Sequence, residues 1–357
     1  MVRVNQKTFR QLLSGTDATA GAKALRVLLR LVSGPYAATV WGRNVLYDRG
    51  LLKTAAAAVP VISVGNITTG GTGKTPLVIW LCRMLESKGL RPAILTRGYK
   101  SEQEKLSDEP ALLAKACPNT AVIVNPDRAA GAAKAVARHA ADVLVLDDGF
   151  QHRRLKRDLN ILTLDATCPF GYGHILPAGL LREPLSGVRR ADVIVITRYD
   201  QVEPMTIERL QERLAVLATG VPVVKATHRH TRAVMFGEKE IPLASLAGKR
   251  AFVFCGIGNP EVFFAHVRQN GIEVAGTRIF NDHHPYTQDE IKALAAEAAA
   301  CGAEWLLCTQ KDWVKTALLH TNNTPITPAY LAMELDFIDG VDILKARIDE
   351  VVEKVEV

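Results

Sequence analysis

The sequence predicts a doubly wound, mostly parallel α/β fold of the P-loop (Rossmann-like) kind with a second, smaller α/β domain. Three observations carry that expectation. Apolar, β-rich runs alternate with helical stretches from Val59 onward. A glycine-rich turn ending in Gly73-Lys74-Thr75 joins the first run to the first helix of that series. A polar, turn-rich stretch at 225–248 then separates it from a second, shorter series. Near-continuous apolar strands alternating with helices imply a parallel sheet covered on both faces.

In chain order, residues 1–55 form a basic amphipathic segment. Leu25, Leu28, Leu29 and Val32 recur at helical spacing, with Lys23, Arg26 and Arg30 off that stripe, and Trp41, Val45 and Leu46 follow beside Arg43 and Arg49. Such a helix suits a membrane interface, or packs on its own domain. Residues 56–228 are the P-loop core, with strands expected at VPVISVG, RPAILTRG, TAVIVNP, DVLVLDDG, NILTLDA, DVIVITR and VPVVKAT. Helices are expected at 74–88, 109–117, 128–141 and 206–218. Residues 229–357 form the smaller C-terminal α/β domain, with strands AFVFCGIG, EVAGTRIF, WLLCTQ and YLAMEL and helices at 261–270, 288–301 and 341–354.

Composition narrows the function. A chain of 357 residues holds one large or two ordinary domains, and 48% hydrophobic with 23% charged residues is ordinary for a soluble globular protein. A net charge of +7 points to an anionic partner (nucleic acid, membrane surface or phosphorylated substrate) or to a mildly basic solvated surface. Aromatics at 6% disfavour a stacking platform for single strands, and no nucleic-acid partner is expected. The six cysteines include no C-x-x-C pair, so a reducing compartment is the simpler reading. No stretch reaches about 18 uninterrupted apolar residues, so no spanning helix is expected.

The stretch SVGNITTGGTGKTP (63–76) lies between a β-run and an apolar helix, where backbone N–H groups and the helix N-terminus face a phosphate. The strict G-x-x-x-x-G-K-[ST] pattern fails only at its first position, Thr68. Thr68, Thr69, Gly70, Gly71, Thr72, Gly73, Lys74 and Thr75 are the candidate nucleotide-binding residues, Lys74 for the β/γ-phosphates and Thr75 for Mg²⁺. The strand DVLVLDDG ends in Asp147 and Asp148, a candidate Walker-B metal pair, and Gln151, His152 and two arginines follow at once. Asp108 in SDEP opens a helix, where it serves as a cap or as a functional acid. FNDHHPY offers Asp282, His283 and His284 as a metal site, an acid–base pair or loop residues. TQKDWVK lacks the spacer of a guanine signature, and GIGNP is only a fragment of a dinucleotide motif.

Together these segments resemble the tetraacyldisaccharide 4'-kinase family of lipid A biosynthesis, through SVGNITTGGTGKTP, LTRGY, SDEP, NPDR, DDGFQHR, LPAGLLREP, DHHPY and TQKDWVK in that order. The resemblance implies ATP and Mg²⁺ as cofactors and an acylated diglucosamine 1-phosphate as acceptor, phosphorylated at its 4'-hydroxyl. It implies a peripheral location on the cytoplasmic face of a Gram-negative inner membrane, and a monomer is expected. It implies that Asp108 is the base and His283 its helper. The two-domain layout separately suggests that closure of the C-terminal unit over the P-loop brings His283 to Asp108. The resemblance further implies that Asp147, Asp148, Thr75 and Glu183 serve the metal and that Arg128, Gln151 and His152 serve substrate or phosphates. A non-glycine at position 68 belongs to the family pattern. The alternatives are a membrane-associated switch ATPase of the partitioning type, which would need lysine where Thr69 stands, and a nucleic-acid-binding NTPase, for which no module is recognisable.

Overall fold

The computed structural model describes residues 6–98, 108–258, 260–282, 284–319 and 326–353. Two helices, α1 (Gln6–Ser14) and α2 (Ala20–Asp48), precede an alternating series. It runs β1 (Val61–Gly65), α3 (Lys74–Ser87), β2 (Pro92–Thr96), α4 (Asp108–Ala116), β3 (Ala121–Val124), α5 (Arg128–His139) and β4 (Val143–Asp147). Next come β5 (Leu159–Asp165), β6 (Val193–Thr197), α6 (Pro204–Leu217), β7 (Val223–Val234), β8 (Glu240–Pro242) and β9 (Arg250–Cys255). The chain closes with α7 (Pro260–Gln269), β10 (Glu273–Ile279), α8 (Gln288–Ala300), β11 (Trp305–Thr309), α9 (Gln310–Thr316), β12 (Thr327–Asp339) and α10 (Val341–Val352).

Two compact units share these elements. Unit 1 holds Met1–Lys100, Ala116–His228 and Leu335–Val357, and unit 2 holds Ser101–Lys115 and Arg229–Glu334. This division is discontinuous, unlike the consecutive segments read from sequence. Helix α10 goes with unit 1 because it buries Leu344 and Ile348 and pairs Asp349 with Lys88 at 3.0 Å. Most of α4 goes with unit 2, where Lys115 pairs with Glu238 at 3.2 Å and lies over the rings of Trp313 and Tyr330.

In unit 1 the strand order is β7-β6-β5-β1-β4-β2-β3. Every pairing along it is parallel. Strands β1, β2, β4 and β6 are buried at every position, which explains why they read as unbroken apolar runs rather than as alternations. One core contains Leu95, Ile123, Ala135 and Leu144. A second contains Phe150, Leu162, Ile194 and Leu210. Strand β1 sits between β4 and β5, with Val64 opposite Asp147 and Ile161. The chain turns outward in both directions from β1, so its carboxyl end opens at a switch point, where ligands of such sheets gather.

Helix α2 packs through a mixed stripe, not through the apolar one. Its buried residues are Ala22, Ser33, Val40 and Asn44, whereas Leu28 and Val32 are 56% and 54% exposed. Ser33 donates to the Ile175 carbonyl at 3.0 Å and accepts from the Ala178 N–H at 3.0 Å. Unit 2 has a parallel set ordered β10-β9-β11-β12, and β8 runs antiparallel to the end of β7. Its cores contain Phe254, Leu294, Trp313 and Tyr330 in one case and Val253, Phe264 and Leu307 in the other.

Candidate active site

The loop after β1 is held by an extended partner. The Thr69 N–H donates to the Leu180 carbonyl and the Arg182 N–H to the Ile67 carbonyl, each at 2.7 Å, with Thr68 bridged antiparallel to Leu181. Positive φ falls at Gly70 (+116°) and Gly73 (+81°), not at Thr68. Glycine is therefore dispensable at the first position of the motif, which resolves the apparent mismatch there. Thr72 shares a hydroxyl hydrogen bond with Thr163 at 2.8 Å, and the Thr197 hydroxyl donates to the Thr72 carbonyl at 3.0 Å. Loop and sheet are thus joined on two strands. Gly73 immediately precedes α3, whose first residues are Lys74 and Thr75. A Cβ on Gly73 would lie 2.7 Å from His228 Nε2.

The two acids at the end of β4 diverge. Asp147 is 7% exposed, and the Thr96 hydroxyl donates to it at 3.4 Å. Asp148 takes a left-handed conformation (φ +51°) and reaches two cations, Lys74 at 3.4 Å and Arg182 at 2.7 Å. Burial pushes the Asp148 carboxyl up, yet Lys74 and Arg182 together outweigh it and hold it below the usual carboxylate range. Arg128, at the start of α5 and 4% exposed, donates to the carbonyls of Asn125 at 2.7 Å and Asp147 at 3.4 Å. Burial lowers its guanidinium to about 10, against the pull of Asp147 and Asp148.

Gln151 and Glu183 meet directly. The Gln151 amide donates to Glu183 at 2.8 Å and to the Asn66 carbonyl at 2.7 Å. Glu183 is fully buried, and its other oxygen accepts from Arg190 at 2.6 Å and from Asn44 at 3.2 Å. His152 is pushed down to about 4, first by burial and then by Arg128, Arg157 and Arg154. The His283 assignment lies outside the described residues, as does the side chain of Asp108. Asp108 heads α4 in unit 2.

The remaining motifs are packed into unit 2. Asp282 pairs with Lys311 at 2.9 Å, and His284 meets Glu290 at 3.0 Å. Asp312 is buried, accepting from Tyr286 at 2.8 Å, Thr309 at 2.6 Å and the Gly256 N–H at 3.1 Å. It is committed to the fold and does not face a base. Sequence reasoning did not single out Asn44, Arg182, Arg190 or His228. Arg182 was adjacent to a chosen residue in LREP, while Asn44 stood as one polar letter in an amphipathic helix.

Among the described residues no three His, Cys, Asp or Glu side chains form a metal cluster. A P-loop Mg²⁺ asks for less: one hydroxyl, one or two carboxylates and phosphate oxygens. Thr75, Asp147 and Asp148 fit that donor set, and the charge of Lys74 and Arg182 beside Asp148 fits the phosphates. Strand, loop, helix and acid-terminated neighbour at a sheet's switch point define a P-loop nucleotide-binding protein.

Comparison with known proteins narrows the class. The model of the family described as Tetraacyldisaccharide-1-P 4'-kinase matches residues 25–353. A tetraacyldisaccharide 4'-kinase of Anaeromyxobacter dehalogenans is 38% identical over 348 residues, covering 93% of this chain and 90% of that one. One from Geobacter metallireducens is 38% identical over 327 residues, covering 86% and 94%. A crystal structure of LpxK from Aquifex aeolicus in complex with ATP superposes with a TM-score of 0.75 at 33% identity, covering 92% of this chain and 99% of that one. The chain belongs to the tetraacyldisaccharide-1-P 4'-kinase family.

Proposed function

We propose that this protein transfers the γ-phosphoryl group of ATP to the 4'-hydroxyl of a tetraacyldisaccharide 1-phosphate, giving the 1,4'-bisphosphate used in lipid A biosynthesis. The observation that carries the reading is the convergence of Lys74 and Arg182 on Asp148, beside the P-loop, in a chain the family model matches from 25 to 353. Phosphoryl transfer proceeds through a loose transition state and needs positioning and neutralisation more than covalent chemistry. The loop amides from Gly70 to Gly73 orient the phosphates, the Thr69 N–H being held by the Leu180 carbonyl, and Lys74 offsets charge on the β/γ-oxygens. Thr75 with Asp147 and Asp148 would hold Mg²⁺, which when bound screens the phosphate oxygens from the incoming hydroxyl. Asp108, helped by His283, accepts the sugar proton late in the transfer. Arg128 and His152 face the phosphates or the sugar. Glu183, with both oxygens occupied, positions Gln151.

The acyl chains of such a substrate lie in a bilayer, and the protein acts there as a peripheral monomer on the cytoplasmic face of a Gram-negative inner membrane. Leu31, Trp41 and Leu51 on and just after α2 are 69%, 60% and 66% exposed, and basic residues flank them, which supports this placement. No helix among the described residues is long and apolar enough to cross a membrane. The test is direct: pure protein, Mg²⁺, γ-labelled ATP and the lipid disaccharide 1-phosphate. Label should move to lipid, and label released only as free phosphate would favour the switch-ATPase alternative. Asp108→Ala in folded protein should reduce turnover by about 10²–10⁴, the usual span of general-base catalysis, and near-normal turnover would refute that role.

A further inference from the structure

The buried Glu183 carboxylate joins helix α2 to the nucleotide loop. From the α2 side, the Asn44 amide donates to Glu183 at 3.2 Å, and Arg43 orients that amide by donating to its oxygen at 3.3 Å. Arg153 donates to the Asn44 carbonyl at 3.0 Å, fixing the same turn. From the loop side, both hydrogens of the Gln151 amide are used, one on Glu183 and one on the Asn66 carbonyl at the exit of β1. Asn66 in turn reaches the Gly70 carbonyl at 3.4 Å. A second connection runs beside the first: Tyr36 donates to the Arg182 carbonyl at 3.1 Å, and Arg182 pairs with Asp148.

The geometry leaves Glu183 no slack. It is fully buried, and its carboxylate fills the space a side chain at Gly187 would need, since a Cβ there would lie 2.6 Å from it. A buried carboxylate that loses a donor must shift toward those that remain. Here those are Arg190 and Gln151, and a shifted Gln151 moves the Asn66 carbonyl and the loop behind it. We propose that Asn44 is a positioning residue for the nucleotide site, acting through Glu183 and Gln151, and that the hydrogen bonds from α2 to this segment, Asn44 to Glu183 and Tyr36 to the Arg182 carbonyl, set the affinity of the P-loop for ATP. The helix that presents the exposed apolar face is thereby tied to phosphate binding. The inference rests on the P-loop binding ATP but not on the identity of the acceptor.

The test uses the full chain and a fluorescent ATP analogue with Mg²⁺, without lipid, and reads Kd beside the thermal midpoint. Asn44→Ala should raise Kd about tenfold, the scale of one hydrogen bond to a charged group. Tyr36→Phe, at a 40% exposed residue, should raise it about threefold in the same direction. Val40→Ala removes packing one turn away, on the same buried stripe, without touching Glu183. It should lower the midpoint and leave Kd within about twofold. A folded Asn44→Ala protein with the wild-type Kd overturns the proposal, and so does an equal rise in Val40→Ala. If Asn44→Ala does not fold, Tyr36→Phe decides, and an unchanged Kd overturns it. Failure of the wild-type chain to bind the analogue at all would refute the nucleotide reading instead.

Discussion

Gly73→Ala isolates what the glycine-rich loop requires. The residue has φ +81°, and an added Cβ would meet His228 Nε2 at 2.7 Å, its Cε1 at 2.9 Å and Thr197 Cγ2 at 3.0 Å. Neither neighbour moves freely. His228 is 5% exposed, and the Thr197 hydroxyl bonds the carbonyls of Thr72 and Leu164 at 3.0 and 3.3 Å. The left-handed conformation costs a residue with a Cβ roughly 1–2 kcal/mol, and overpacking adds roughly 1–3 kcal/mol. The total is about 2–5 kcal/mol of stability, or a loop pushed off its seat. A displacement approaching 1 Å at a phosphate site reduces turnover on the order of 10²-fold. Urea unfolding and the labelled-lipid assay measure both. Gly70→Ala is the internal control: φ is +116° but nothing lies within 4 Å of the added Cβ, so only backbone strain of about 1–3 kcal/mol applies. If Gly73→Ala matched the wild type within about 0.5 kcal/mol and twofold in turnover, or proved milder than Gly70→Ala, the packing argument would be wrong.

Lys74→Met should lower phosphoryl transfer by at least 10²-fold, read as labelled lipid, with a smaller fall in the unfolding midpoint because Asp148 keeps only Arg182. Stability should fall with acid between about pH 6.5 and 4. His152 and His230 are both held down to about 4, so the unfolded chain binds protons first in that window, and the contribution is complete above pH 6.5. His152→Asn should shallow the decline in urea midpoints across that range, and an unchanged slope would count against the burial of a neutral imidazole. Leu31→Glu and Trp41→Glu should each weaken sedimentation with anionic vesicles on the order of tenfold, from one large apolar contact apiece, while leaving the thermal midpoint in place.

The legible parts of this molecule share a physical property: their cause is local. Strand β1, the loop and α3 follow one another within the span 61–87, so spacing alone located Lys74 and Thr75. Asp147 and Asp148 were legible because a fully buried parallel strand must be apolar until it reaches the sheet edge. The apparent fault at Thr68 was a matter of φ, which letters do not carry. Glu183 and Asn44 are 139 residues apart, and Asn44 in isolation resembles any polar residue on an amphipathic helix. Arg182 was hidden for the same reason, since its partner Asp148 is 34 residues away. The assignment of α4 to unit 2 was equally unreadable, because a helix between two strands of one sheet is ordinarily assumed to cover that sheet.

Helix α2 reverses the default reading of amphipathicity, and the reversal has a physical cause. A helix normally buries its apolar stripe because transfer from water favours that face by about 25 cal/mol per Å². Here the buried stripe includes Ser33 and Asn44, and Leu25, Val27, Leu28, Leu31 and Val32 stay outside. The polar residues inside are not orphans: Ser33 bonds backbone at 175 and 178, and Asn44 bonds Glu183. Hydrogen bonds of this kind specify one rotation of the helix about its axis, because any other rotation leaves Glu183 with a donor missing and the loop at 175–178 unbonded. The apolar stripe is thus held outward by specificity rather than by a lack of room inside. An outward apolar stripe is unfavourable in water and favourable against lipid. The same hydrogen bonds that direct it outward end, through Gln151 and Asn66, on the loop that receives the phosphates. On the proposed function, lipid contact and nucleotide binding draw on a single helix orientation, which is why the Asn44 substitution is expected to register in ATP affinity measured without lipid.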